Sequence, residues 1–220
     1  MQAYIEALQS AQKKYKDIGF DIFPIAPGAK SPPLINNWNI KQRDNVWDEV
    51  PNDANIAIRC GGDSSIAVID CDDKNTPGTY QNILHYLEGL GFEESFLPIV
   101  QTASGIGRHI YFLLGDFMPG AYKTINSRFG AGEFRYGTGA YVVAPPSCVT
   151  DRGFYQVLYG DLAFPPEIHW EDIVPIINYS KPNASIDNSG PPISRYAKGL
   201  LNGAYSEKYP SRSEVEYALI

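Results

Sequence analysis

The stretch from Ile66 to Asp73, IAVIDCDD, starts as an apolar strand and ends in three carboxylates. Alternate side chains of a strand share a face, so Asp70 and Asp72 project together while Cys71 points away. Ile66, Ala67, Val68 and Ile69 supply a buried platform for them. Two acids held close on one face repel each other. A divalent cation or a raised pKa relieves that repulsion, and hard Mg²⁺ or Mn²⁺ prefers carboxylate oxygen. The alternative is a strand that simply exits into solvent, where acids commonly gather.

A metal platform needs further ligands. GEFRYGTGAYVVAPPS offers Glu133 at the start of another strand, with Arg135 on the same face by the period of two. Glu133 is the candidate third carboxylate; otherwise it is an exposed strand residue paired with a nearby base. TASGIGRHIYF brings together Ser104, a Gly105-Ile106-Gly107 turn, Arg108 and His109 before an apolar strand. Turn N–H groups, a hydroxyl, a guanidinium and an imidazole all suit phosphate, so the group reads as a triphosphate cradle. Taken singly, the same residues make a tight hairpin with a capping serine and a half-buried histidine. APGAKSPPLINNW resembles a phosphate-binding P-loop only superficially, because Pro32 and Pro33 prevent a helix from starting where that motif needs one. It reads as a loop presenting Lys30.

The chain's 220 residues, 44% hydrophobic, can bury one principal core. A net charge of -7 speaks against a general basic surface of the kind that holds nucleic acid by charge alone, so any such grip is local or shared with a partner. Cys60, Cys71 and Cys148 are odd in number and widely spaced, which suits buried small hydrophobes better than disulfides or a zinc ribbon. No apolar run is long enough to cross a bilayer, and MQAYIEALQSAQKKYK lacks the apolar block of a signal peptide; the expected location is cytoplasmic, with no membrane partner.

Tyr4, Leu8, Ala11, Tyr15 and Ile18 recur at helical spacing up to Gly19, and FDIFPI follows as a short strand. NIAIRCG and SSIAVIDCDD, separated by a Gly-Gly-Asp turn, predict a hairpin. TYQNILHYLEGLG predicts a helix closed by glycine. PIVQTASGIGRHIYFLL predicts two strands around a turn, GEFRYGTGAYVVAPPS two more, FYQVLY another, and PPEIHWEDIVPII a helix starting at proline. Irregular alternation with hairpins indicates an α+β fold rather than a doubly wound parallel sheet. From about Asn178 to Pro192 the composition turns to Ser, Asn, Pro and Gly, a linker signature. Beyond it, SRYAKGLLNGAY and PSRSEVEYALI are short helical candidates, with Ser211 and Glu214 at capping-box spacing. The expected organisation is residues 1–177 as a catalytic domain, 178–192 as a linker and 193–220 as the start of a helical region that continues in a longer protein.

In their order these motifs resemble the primase-polymerase (PrimPol) domains of the archaeo-eukaryotic primase superfamily, found in plasmid, phage and mobile-element replication proteins. That family shows G-x-x-x-x-P-x-x-P-x-x-K-x-P, here GFDIFPIAPGAKSP, and an apolar strand ending in Asp-x-Asp or Asp-x-Glu, here AVIDCD. Then come T-x-S-G-G-x-H-x-Y-F, here TASGIGRHIYF, and an acid on a strand before G-x-Y-V-V-A-P-P-S, here EFRYGTGAYVVAPPS. Four ordered motifs from about Ile18 to Ile177 are far more specific than any one. Glu133 stands where many relatives carry aspartate, which keeps the charge and lengthens the ligand by one methylene. The glycine turn departs from the pattern through Ile106 and Arg108.

The resemblance implies a primase-like core with a split sheet similar to an RNA-recognition motif, joined to an N-terminal α/β part. It implies two Mg²⁺ or Mn²⁺ ions on Asp70, Asp72 and Glu133, with a nucleoside triphosphate held by Ser104, Arg108 and His109. Arg59 and Arg135 are further candidates for phosphate or template contacts, and Lys30 a more remote one. The implied reaction is primer synthesis or DNA extension on single-stranded template or primer-template, with a helicase or helical domain downstream. A metal-dependent nuclease and a non-catalytic nucleotide-binding module are the rival readings.

Overall fold

A computed structural model describes residues 1–40, 44–116 and 120–179 of the chain. Helix α1 (Gln2–Asp17) leads into β1 (Ile22–Ile25), β2 (Asn55–Arg59) and β3 (Ile66–Cys71), and helix α2 (Thr79–Gly89) follows. The chain continues through β4 (Ile99–Gln101), β5 (Arg108–Leu114), β6 (Tyr122–Thr124), β7 (Gly132–Arg135) and β8 (Tyr141–Val143). It closes with β9 (Cys148–Val149), β10 (Gly153–Phe154), β11 (Gln156–Tyr159), β12 (Glu167–Ile168) and the short helix α3 (Trp170–Ile173). The mixture of helix and sheet is α+β, as the irregular alternation predicts.

The larger sheet runs β11-β4-β5-β3-β7-β6, every neighbouring pair antiparallel, and β12 adds parallel to the far end of β5. A smaller antiparallel sheet runs β1-β2-β8, and β9 pairs with β10. Strand β3 is covered on both faces, which is why it reads as an unbroken apolar run. Ala67, Ile69 and Cys71 pack with Tyr80, Ile83, Leu84 and Leu87 of α2. Ile66 and Val68 pack on the other side with Leu8 and Tyr15 of α1 and with Ile56, Ile58, Val142 and Val143 of the smaller sheet. Tyr15 also donates its O–H to the Pro145 carbonyl at 2.7 Å, tying α1 to the segment after β8. The face carrying Ile66 and Val68 is also the face of Asp70, so the acid emerges where the two sheets part.

Two sequence expectations give way to the structure. Strands β2 and β3 do not form a hairpin: β2 lies between β1 and β8, while β3 lies between β5 and β7. Gly61 and Gly62, both at φ +61°, turn the chain out of one sheet and into the other, leaving only an isolated bridge from Gly61 to Ile66. A side chain at Gly61 would also meet the Tyr136 carbonyl oxygen at 2.6 Å. PPEIHWEDIVPII is not one helix. Glu167–Ile168 is drawn into the sheet by β5, and α3 starts only at Trp170, where His169 and Asp172 form a reciprocal cap. All but the first two residues of the expected linker, and the whole expected helical region 193–220, lie outside the described residues.

Cys60 and Cys71 are fully buried and Cys148 partly so, all three free, in keeping with small hydrophobes. Burial pushes the Cys60 thiol up to about 12, so it stays protonated and inert.

Gly132 is one of the tightest points of the fold. A Cβ there would stand 1.9 Å from the Asp70 carbonyl oxygen, and its φ of +141° excludes ordinary side chains. Gly132→Ala is expected to lower stability by about 3 kcal/mol and to push β7 away from β3. Chemical denaturation should show the loss, and a variant as stable as the parent would contradict it.

Candidate active site

Sheet register assembles the site. Asp70 on β3 stands directly opposite His109 on β5 and Glu133 on β7, so an imidazole and two carboxylates form a row across three strands. His109 Nε2 lies 3.5 Å from Asp70 Oδ1. On the other side, Arg135 places Nε 3.4 Å from Asp70 Oδ2 and Nη2 2.6 Å from Glu133 Oε2. Burial opposes the Asp70 charge, but His109, Arg135 and Lys30 outweigh it and hold the carboxyl below the ordinary carboxylate value. Asp70 is therefore ionised at neutral pH.

The other two acids of the opening stretch part company. Asp72 remains at the cleft: its N–H donates to the Ala131 carbonyl at 2.9 Å, and its carboxylate accepts the Asn75 side-chain amide at 2.5 Å. Asp73 turns to α2 and accepts the Tyr80 N–H at 3.1 Å and the Gly78 N–H at 3.0 Å. Its negative charge complements the start of that helix, a structural task. So the strand ends in three acids because two face a cleft and one anchors the next helix.

The cleft, about 710 Å³, lies over this row. Its walls include Lys30, Asp70, Asp72, Ser104, His109, Glu133 and Arg135, seven of the nine residues singled out from the sequence. Ser104 stays at the turn, its Oγ 2.9 Å from Thr102 Oγ1 and within 3.4 Å of the Gly107 N–H. Arg108 is not among the lining residues. Strand alternation points it to the opposite face from His109, where Nη1 caps the carbonyls of Gly105, Ile106 and Gly107 and the guanidinium lies 5.9 Å from the Tyr80 ring centre. Arg59 is also outside the lining: it is 3% exposed and forms a buried ion pair with Asp21.

Lys74, Arg152, Tyr141 and Tyr155 line the cleft without having been picked out from the sequence. Arg152 and Tyr155 come from the β9–β10 hairpin and the residue after it, a segment whose sequence reads only as turn and strand. Tyr155, 2% exposed, sets its ring 5.8 Å from that of His109 and forms part of the wall behind the imidazole.

The donor set suits a hard cation: Asp70, Asp72 and Glu133 offer only carboxylate oxygen on one side of the cleft, with no thiolate among them. Among the described residues, no three acid, histidine or cysteine side chains converge into a formed metal cluster. Arg135 holds Asp70 and Glu133, and Asn75 holds Asp72, so oxygen is present but already engaged. Among the described residues no helix is long and apolar enough to cross a membrane.

No curated protein matches the chain. Residues 11–170 match the family model described as bifunctional DNA primase/polymerase, N-terminal, a span holding the whole acid row, the glycine turn and both sheets of the cleft. The chain belongs to the Prim-Pol family, and what it carries is a primase/polymerase domain.

Proposed function

We propose that this domain performs template-directed nucleotidyl transfer, making primers or extending DNA during replication of a plasmid, phage or other mobile element. The observation that carries the reading is the row of His109, Asp70 and Glu133 in strict register under a cleft that also presents Lys30, Arg135 and Arg152. Carboxylates below and cations around them suit a triphosphate clamped against a reacting hydroxyl.

In this reading Asp70, Asp72 and Glu133 hold two Mg²⁺ or Mn²⁺ ions. Such ions lower the pKa of an attacking 3′-hydroxyl and offset the charge of the triphosphate and departing pyrophosphate. Asp70, already ionised and held between His109 and Arg135, is available as a ligand once Arg135 gives way. His109 and Ser104 flank the triphosphate from the β4–β5 side, and Lys30 and Arg152 bring positive charge from other parts of the rim. Arg108 braces the glycine turn from behind, acting as a positioning residue for that cradle. Arg59 holds β2 through Asp21 and has no direct part in phosphate binding. Single-stranded template enters beside these groups, and a helicase partner supplies the stronger grip on DNA that a net charge of -7 does not favour.

A labelled primer-template and an unprimed single strand, incubated with Mg²⁺ or Mn²⁺ and each nucleotide pool, test this on a gel. Lengthened primer or new short products are expected, and only when nucleoside triphosphates are present. Shortening of the DNA without them would make the protein a nuclease, and unchanged DNA with metal-dependent nucleotide capture would make it a binding module.

A further inference from the structure

Arg135 stands where a cation between Asp70 and Glu133 would stand. Its guanidinium contacts Glu133 Oε2 at 2.6 Å and Asp70 Oδ2 at 3.4 Å, and Nη1 donates to the Tyr141 carbonyl at 3.2 Å. The first two contacts go to carboxylates on the floor of the cleft. The third goes to β8 of the smaller sheet, so one side chain links the floor to the facing wall. With 28% of its side chain exposed, Arg135 is tethered beside the cleft rather than waving in solvent. Its planar fork can hold two carboxylates at once, which a lysine ammonium does less well.

We infer that Arg135 is a resident counter-cation that competes with divalent metal for Asp70 and Glu133 and makes metal entry depend on nucleotide. The inference rests on the reading of those two acids as metal ligands. An ion arriving alone must displace a charge-assisted hydrogen bond to Glu133 and a longer ion pair to Asp70, and then sit beside a guanidinium that has lost both carboxylates. A triphosphate reverses the balance. Its oxygens complete the coordination shell of the ion, and its negative charge gives the released guanidinium a new partner within reach of the Tyr141 tether. Ion and nucleotide therefore bind with positive coupling, and the coupling is reciprocal.

The test is a Mn²⁺ titration of the whole chain, followed by the electron paramagnetic resonance signal of free Mn²⁺, with and without an α,β-imido deoxynucleoside triphosphate that cannot react. Parent, Arg135→Gln and Arg135→Lys are compared, with thermal unfolding to establish that each is folded. The parent should bind Mn²⁺ roughly tenfold or more tightly with nucleotide than without. Arg135→Gln should bind Mn²⁺ alone about tenfold more tightly than the parent, with coupling correspondingly reduced. Arg135→Lys keeps the charge but loses the fork, and should fall between them; should Arg135→Gln fail to fold, this variant carries the same comparison. If the folded variants bind Mn²⁺ alone no more tightly than the parent, the counter-cation role is wrong while the metal site stands. If neither parent nor variants take up Mn²⁺ under any condition, the reading of the acids as ligands fails with it.

Discussion

Asp70→Asn is expected to reduce nucleotide incorporation by at least about 10³-fold while leaving the fold intact. Asparagine keeps the shape of the side chain but removes its charge and turns one acceptor oxygen into a donor. That charge sits in the middle of the row, 3.5 Å from His109 Nε2 and 3.4 Å from Arg135 Nε, so its loss leaves one fewer anionic ligand and a mismatched hydrogen-bond pattern. Single-turnover primer extension with saturating Mn²⁺ measures the effect, and a residual rate within tenfold of the parent would remove Asp70 from the reaction. The same variant carries a signature in stability. Because the folded pKa of Asp70 is lowered, its ionised form favours the folded state above the pKa of the unfolded chain, and that contribution is lost as pH falls through the folded value. In metal-free buffer the gap in unfolding temperature between parent and Asp70→Asn should therefore be widest near neutrality and close in acid.

Asp21→Ala should give the largest loss of stability, about 3–5 kcal/mol, or about 10 °C in unfolding midpoint for a chain of this size. Arg59 and Asp21 are buried with side-chain exposures of 4% and 8%, and the Arg59 N–H also donates to the Asp21 carbonyl at 2.9 Å. Removing the carboxylate strands a guanidinium beneath the smaller sheet, which costs far more than the pair contributes. The double change Asp21→Leu/Arg59→Met, which removes both charges together, should recover most of the loss. Incorporation by the double variant, measured below its unfolding temperature, should stay close to that of the parent, because neither residue reaches the cleft. A double variant as unstable as Asp21→Ala would show that the ion pair itself, not the stranded charge, carries the stability.

The two arginines show where sequence reasoning ends. Period-two alternation was enough to place Asp70 and Asp72 towards one cleft, because the apolar residues before them fix both faces of β3. Applied to β5, the same rule separates Arg108 from His109, so the position of Arg108 was already legible. Arg59 was not. It adjoins β3 in sequence, but Gly61 and Gly62 send the chain into another sheet, and strand partnership is decided by contacts far along the chain. Helix α1 followed from its apolar spacing, α2 from a stretch closed by glycine, and the β4–β5 hairpin from its glycine turn. The short helix α3 was blurred because Ile168 is as apolar as a helical residue but is taken by the parallel edge of β5. Arg152 and Tyr155 carried no local signal, since a polar turn and a tyrosine become cleft walls only once the hairpin folds over β5.

The position of β3 also bears on how the domain breathes. From Val68 to Cys71 it is hydrogen-bonded along both edges and covered on both faces, so no amide there can exchange with solvent by fraying at an edge. Deuterium should enter the amides of Val68 to Asp70 only as fast as the whole domain unfolds, while the Ser104–Gly107 turn and the Arg152 hairpin exchange through small local openings. Asp70 would then keep its place through every partial opening of the cleft, and loss of the His109–Asp70–Glu133 row would coincide with loss of the fold.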